Sequence, residues 1–372
     1  MKKIYIQPRI ETLATTPQQI LCTSGGIRAE ISGYKQNTGG GFSQSPFIWL
    51  AGVVCSSLLF LGTACSTNNP DQPKQQAELK PRTLIVTQSA VSQVTPESAI
   101  RRMPHATITD AGETLDAIWS RGDEISFRNM SHESYTDPQT GALVPLEGVL
   151  LADRTARIAS FASNNEVWCA LDDRLLLVYP KATAPAISVE GDPLRATYTI
   201  PLDDQDGTLA TIAKTHHHSY GIATITEVTP TVANAELAEM QNLLTVCKFS
   251  FVDKDYPGTP LPITSLSISY YDGDYAGTYP EKATVTVTQG TPCTVTVTPD
   301  KKSTLAGGNP LAISPDGNPE EVYVALFPEA TATTYSFSVT SGENTYTGTA
   351  TARLIAGEYV VATNLKLTKV NP

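Results

Sequence analysis

Thr284-Val-Thr-Val-Thr288 and Thr294-Val-Thr-Val-Thr298, joined by Gln289-Gly-Thr-Pro-Cys293, decide the fold class. Strict alternation of β-branched side chains has period two, the period at which a strand presents opposite faces. Gly290 and Thr291-Pro292 mark the turn between the two runs. The same rhythm extends outward in both directions. Leu266–Tyr270, Val322–Phe327, Tyr335–Val339, Tyr346–Ala350 and Glu358–Leu367 alternate, with Asp272-Gly273, Gly307-Gly308-Asn309 and Gly342-Glu343-Asn344 between them. Short strands at regular spacing, punctuated by turn residues, are the pattern of a β-sandwich. Upstream, Thr83–Ser89 is β-rich and Ala117–Phe127 reads as strand, turn, strand. Arg174–Tyr179 is a continuous apolar run, as expected of a buried strand. Tyr198–Pro201 leads into a turn at Asp203–Gly207.

One stretch stands apart. Ala233–Leu244 is rich in Ala, Glu, Leu, Met and Gln, and its composition predicts a helix. A domain boundary is placed there. The expected organisation is a leader over residues 1–64, a tether over 65–82, an N-terminal β-sandwich over 83–235 and a C-terminal one over 236–372.

Composition narrows the function classes. The 372 residues carry a formal net charge of −11. Without residues 1–64, 21 basic and 35 acidic residues remain, a balance of −14. Such a surface repels phosphate, so no nucleic-acid partner is expected. Six cysteines are present, at 22, 55, 65, 169, 247 and 293, and none has metal-ligand spacing. Cys169, Cys247 and Cys293 read as buried thiols, with one disulfide among them as the alternative.

Phe47–Leu61 is an apolar run of signal-peptide length, too short for a typical transmembrane helix. Lys2, Lys3, Arg9, Arg28 and Lys35 give it a positive flank, longer than a signal peptide needs. The run ends in Leu61-Gly-Thr-Ala-Cys65, which resembles the lipobox of bacterial lipoproteins, with Gly62 at the position that usually holds Leu. The resemblance implies that Cys65 is lipidated and becomes the mature N-terminus. Ser66–Gln76 is polar and Pro-bearing, suited to a tether.

Several local patterns then follow in order. Ala106-Thr-Ile-Thr-Asp-Ala-Gly112 precedes Trp119-Ser-Arg-Gly-Asp-Glu-Ile125; Val178-Tyr-Pro180 comes next. Ser219–Thr224 leads to Leu244–Phe251, and Val322–Pro328 leads to Tyr346-Thr-Gly-Thr349 and Gly357-Glu-Tyr-Val360. In this order they resemble the fimbrillin family, the type V pilins of Bacteroidales. The resemblance covers most of residues 83–370. It implies two transthyretin-like antiparallel β-sandwich domains behind a lipoprotein leader. It also implies an outer-membrane, acyl-anchored precursor of a surface fimbrium. In polymerising members a trypsin-like protease cuts after an Arg and removes the lipidated segment with the first strand. A strand from a neighbouring subunit then fills the groove. Candidate cleavage sites here are Arg82 and, better, Arg101-Arg102. The implied partners are other pilus subunits by strand addition, the outer membrane through the lipid on Cys65, and host or bacterial surface receptors. The C-terminal strand is expected to complete the chain's own sheet.

Other constellations have simpler readings. His216-His217-His218 would put two imidazoles on one strand face, as a zinc site requires, but no third ligand is evident, and a polar loop or edge strand is favoured. Asp203-Asp-Gln-Asp-Gly207 lacks the acid spacing of a calcium loop and reads as a turn. Asp272-Gly-Asp274 lies between Tyr270-Tyr271 and Tyr275, where tyrosines could bind sugar or pack across strands. There is no Gly-x-Ser-x-Gly, His-Glu-x-x-His or phosphate-binding Gly loop, so no catalytic residue, metal or cofactor is assigned and no enzyme is expected. A surface lipoprotein that captures glycan is the alternative function; a β-sandwich hydrolase has no motif behind it.

Overall fold

The computed structural model describes residues 79–88, 107–112, 114–181, 187–300 and 309–370. The leader, Cys65, most of the tether, Arg101 and Arg102 lie outside the described residues. The chain is all-β. Its strands are β1 Lys80–Gln88, β2 Thr107–Asp110, β3 Leu115–Ile118, β4 Glu124–Asn129, β5 Glu147–Ala152, β6 Ser160–Cys169, β7 Arg174–Tyr179, β8 Ser188–Glu190, β9 Arg195–Pro201 and β10 Ser219–Val228. They continue with β11 Val232–Asn242, β12 Thr245–Asp253, β13 Ser265–Tyr270, β14 Lys282–Thr288, β15 Thr294–Pro299, β16 Leu311–Ile313, β17 Glu321–Leu326, β18 Thr333–Ser341, β19 Asn344–Ala352 and β20 Tyr359–Lys369. An α-helical turn at Leu209–Thr211 runs on as a π-helix at Ile212–His216.

The first body is a closed barrel in the order β1-β11-β10-β7-β4-β5-β6. Every pair is antiparallel except β1 with β11. Its interior holds Leu84, Val86, Trp119, Phe127, Leu150, Phe161, Leu177, Tyr179, Ile225 and Leu237, all buried. The Trp119-Ser-Arg-Gly-Asp-Glu-Ile125 pattern has a structural cause here. Trp119 and Ile125 enter this core, Gly122 turns the chain at φ +88°, and the Asp123 carboxylate accepts the Ser120 N–H at 2.7 Å.

The second body stacks a seven-stranded sheet, β16-β13-β18-β19-β20-β12-β17, on a four-stranded one, β15-β14-β9-β8. Phe249, Phe251, Ile268, Tyr279, Val285, Val324, Phe337 and Leu367 lie between them. β20 runs parallel to β12 from Val246↔Tyr359 to Asp253↔Leu367 and meets β19 near its end, at Tyr346↔Lys369. It sits close over Gly348, where an added Cβ would fall 2.6 Å from Leu367 Cδ2.

Two strand assignments depart from the sequence expectation. Ala233–Leu244 is not helical; β11 occupies Val232–Asn242. Ala233, Ala235 and Leu237 point inward with period two, and then a bulge shifts the phase so that Met240 also points inward. The resulting spacing of 233, 237, 240 and 244 imitates a helical stripe, and good helix formers completed the imitation. Tertiary pairing overrides that propensity. The boundary expected at 235/236 therefore falls inside β11. The chain also reaches the second body earlier: β8 and β9 pair with each other and with β14 before the chain returns to the barrel as β10.

β7 explains how barrel and sandwich share one compact unit, Ala77–Pro372. Leu175, Leu177 and Tyr179 face the barrel interior, while Leu176 and Val178 face the sandwich core. Both faces are buried, which is why the strand reads as a continuous apolar run.

Candidate functional site

The candidate site is the seat of β1. β1 closes the barrel by pairing with β6 from Lys80↔Cys169 to Thr87↔Ser160 and with β11 from Thr83↔Val232 to Gln88↔Leu237. A bulge between Thr83 and Ile85 frees the Leu84 N–H, which donates to Ser163 Oγ at 2.9 Å. Leu84 and Val86 are fully buried in the barrel core. Each contributes roughly 1.5–3 kcal/mol of burial free energy. Removing β1 would bare those contacts and leave the facing backbone groups of β6 and β11 unpaired.

Arg82 lies on the same inward face and is 7% exposed. Its Nε donates to Thr229 O at 2.7 Å, and its Nη1 donates to Cys169 O. Its guanidinium thus ties β1 to the ends of β6 and β10. A protease that must draw an arginine into its own pocket reaches Arg82 only after β1 has left. The Arg101-Arg102 pair lies in the stretch between Gln88 and Thr107.

Beyond that stretch the chain is fastened to the sandwich. Ile108 of β2 packs with Ile212, Ala213 and Val246. Asp110 Oδ2 accepts from Lys248 Nζ at 3.0 Å and from the Tyr323 hydroxyl at 2.7 Å, and Lys248 Nζ also meets Glu321 Oε2 at 2.9 Å. Burial pushes the Asp110 carboxyl up, but hydrogen bonds from Tyr323, the Gly112 N–H and Lys248 outweigh it and hold it at about 2. Hydrogen bonds to Glu321 and Asp110 raise the Lys248 ammonium in turn. Both groups are charged at neutral pH. Lys248→Met should cost on the order of 1–3 kcal/mol, because Asp110 keeps its burial and loses its cation. The loss should appear as faster amide exchange in β2 and β3, with the barrel strands unchanged.

The remaining sequence-marked residues fall into structural roles. His216, His217 and His218 are buried at the end of the π-helix, not in a polar loop or on an edge. His218 Nε2 is 3.2 Å from Pro201 O, and the rings of His216 and His218 meet edge-on at 6.4 Å. Among the described residues, no three His, Cys, Asp or Glu side chains form a metal-binding group. Asp206 in the Asp203–Gly207 turn accepts from Thr208, and Gln205 is buried and bonded to Ala325. Tyr270 is buried, stacked on Tyr279 and Tyr335, and donates to Glu329; Tyr271 is exposed. Cys169 and Cys247 are buried free thiols, and Cys293 is a half-buried one. Burial raises Cys169 to about 11, so it is a poor nucleophile.

A cleft beside the start of β2 is lined by Thr107, Asp123, Glu124, Tyr179, Lys181 and Lys214. Lys181 Nζ is 2.7 Å from Glu124 Oε2, an ordinary surface ion pair. The sequence missed the fastening through Asp110 and Lys248. These residues are 138 positions apart, and neither sits in a motif.

No family model and no curated protein matches the chain. Solved structures that resemble it include a "putative cell adhesion protein" from Bacteroides ovatus ATCC 8483, at 12% identity and a TM-score of 0.43, covering 79% of this chain and 96% of that one. Another of the same description, from Bacteroides uniformis ATCC 8492, has 13% identity and a TM-score of 0.43, covering 80% and 98%. The shaft pilin SpaA from Lactobacillus rhamnosus GG has 9% identity and a TM-score of 0.27, covering 79% and 100%. At these scores the likeness carries no argument about this chain.

Proposed function

We propose that the chain is a structural and adhesive subunit of a cell-surface fimbrium, exported as a lipoprotein on Cys65 and assembled by protease-triggered strand exchange. The observation that supports this reading most is the seat of β1. Among the described residues, the strand nearest the N-terminus closes a barrel whose core it completes, and a dibasic pair follows it in sequence before the chain is fastened again at Asp110. Cutting after Arg101 or Arg102 would detach β1 from everything downstream except its own pairing and packing. The emptied groove would present apolar core and two lines of backbone donors and acceptors. A strand from a neighbouring subunit satisfies both at once, with main-chain hydrogen bonds for affinity and alternate side chains for fit. The Asp110–Lys248 fastening would hold the new N-terminal end in place while β1 departs.

Arg101→Ala combined with Arg102→Ala should abolish polymer formation under protease. Arg82→Ala should leave cleavage intact, because Arg82 is buried, and should loosen β1 instead. Normal polymers from the Arg101/Arg102 double variant would refute this assignment of the cut. The glycan-capture alternative rests on exposed aromatic side chains. Tyr256 and Tyr271 are exposed and Tyr270 is spent on core packing; what supports strand exchange as the first reading is the seat of β1.

A further inference from the structure

Every open sheet has edges that must be paired, covered or kept short, because a bare edge offers its backbone to another strand. The barrel has no edge. At β17 the outer backbone is covered: the Tyr323 N–H donates to Gly207 O at 2.8 Å, the Ala325 N–H to Gln205 Oε1 at 2.7 Å, and Gln205 Nε2 donates to Ala325 O at 3.0 Å. The edge strands β16 and β8 are three residues each, and β2 and β3 are four each. Among the described residues, β15 is the exception. It has six residues and pairs on one side only, with β14, in unbroken register from Thr288↔Thr294 to Ala283↔Pro299. No charge and no bulge interrupts Thr294–Thr298, and Pro appears only at its end.

The sequence of this edge indicates what it can accept. Thr294-Val-Thr-Val-Thr298 reads the same in both directions, and β14 contains the identical pentapeptide at Thr284–Thr288. The two pair antiparallel with like opposite like: Thr286↔Thr296, Val285↔Val297 and Val287↔Val295. Two copies of this pentapeptide therefore already form a regular antiparallel pair inside one chain. On its outer side β15 presents the alternate backbone groups of the same pentapeptide, those of Val295 and Val297, because the Thr backbone groups face β14. The Thr side chains of β15 are exposed and its Val side chains half-buried against the sandwich core.

We propose that the outer edge of β15 is a self-association surface, at which β15 of a second copy of this chain adds antiparallel about a twofold axis through Thr296. The axis places Thr296 opposite its counterpart, Thr294 opposite the partner's Thr298, and Val295 opposite the partner's Val297. The sheet β8-β9-β14-β15 then continues across the axis into the second copy. The pairing satisfies the open backbone groups and sets Thr against Thr and Val against Val, with no charge brought to the seam. A five-residue pair buries less than the roughly 1,200 Å² of a stable interface, so association is weak and concentration-dependent. This inference does not depend on cleavage or on strand exchange at β1.

The test is sedimentation of the uncut full-length chain in mild detergent over a range of concentrations. Wild type should pass from monomer to dimer. Thr296→Lys and Thr296→Glu should each remain monomeric, with at least about tenfold weaker association, because the axis sets like charges face to face. Thr296 is exposed, so neither substitution disturbs the core. An equimolar mixture of the two variants should dimerise again, through opposite charges at the same contact. Any one of three results overturns the proposal: a wild type monomeric throughout, single variants that dimerise as wild type does, or a mixture that fails to recover.

Discussion

Trp119→Ala should lower the unfolding free energy by about 3–5 kcal/mol, the largest single-residue effect in the barrel. Trp119 is fully buried and meets Phe161 edge-on at 4.9 Å and Tyr179 at 5.3 Å. These three rings fill the space that β1 closes with Leu84 and Val86. Truncation leaves a void that a closed barrel cannot collapse, since each strand is held by two neighbours. Trp168 is the control. It is half-buried on the rim beside Tyr135, at 5.9 Å, so Trp168→Ala should cost clearly less. Urea denaturation of both variants measures the difference as a shift in midpoint at constant slope. Equal midpoints would mean that the barrel core is not organised around Trp119.

Acidification should destabilise the region where the helical turn enters β10. Burial depresses the imidazole of His217 to about 4, and burial together with the neighbouring His216 depresses that of His218 to about 3, both from 6.5. A group whose folded pKa is lowered takes up its proton first in the unfolded chain. The stability associated with neutral histidines is therefore fully present above pH 6.5 and falls as pH drops from 6.5 through the folded values. At about 1.4 kcal/mol per unit, each of the two withdraws roughly 3 kcal/mol by pH 4. Asp110, held at about 2, acts in the same direction lower on the scale, losing its contribution as pH falls from 3.8 through 2. The unfolding free energy should thus fall steeply between pH 6 and 4, and His217→Leu should flatten the slope. A profile equally steep in wild type and variant would remove His217 from the account.

Much of the fold was legible because most strands alternate without interruption. β14, β15, β18 and β20 could be read directly from period two, and β7 from its unbroken apolar run. β11 was not legible, since a bulge shifted its inward phase and its residues favour helix. β9 could be recognised as extended at Tyr198–Pro201, and β8 was not read at all; neither could be assigned to the second body, because sheet partnership between Tyr198 and Val285 leaves no mark in either local sequence. The candidate site was legible only in part. The dibasic pair and the β-rich strand before it stand out along the chain. The burial of Arg82, the closure of the barrel by β1 and the Asp110–Lys248 contact all arise from long-range pairing. The histidine run shows the converse: an eye-catching motif whose side chains the fold buries as packing.

The central claim is that β1 leaves its seat and is replaced by a strand from another copy. The most direct test treats the surface-exposed chain with a trypsin-like protease, then reads its N-terminus by mass spectrometry and its size on denaturing gels. The account predicts a new N-terminus at Arg102 or Met103, loss of the Lys80–Gln88 segment from the folded chain, and a ladder of protease-resistant polymers. A chain that retains an acylated Cys65 N-terminus, or one that is cut yet keeps β1 and stays monomeric, would contradict it.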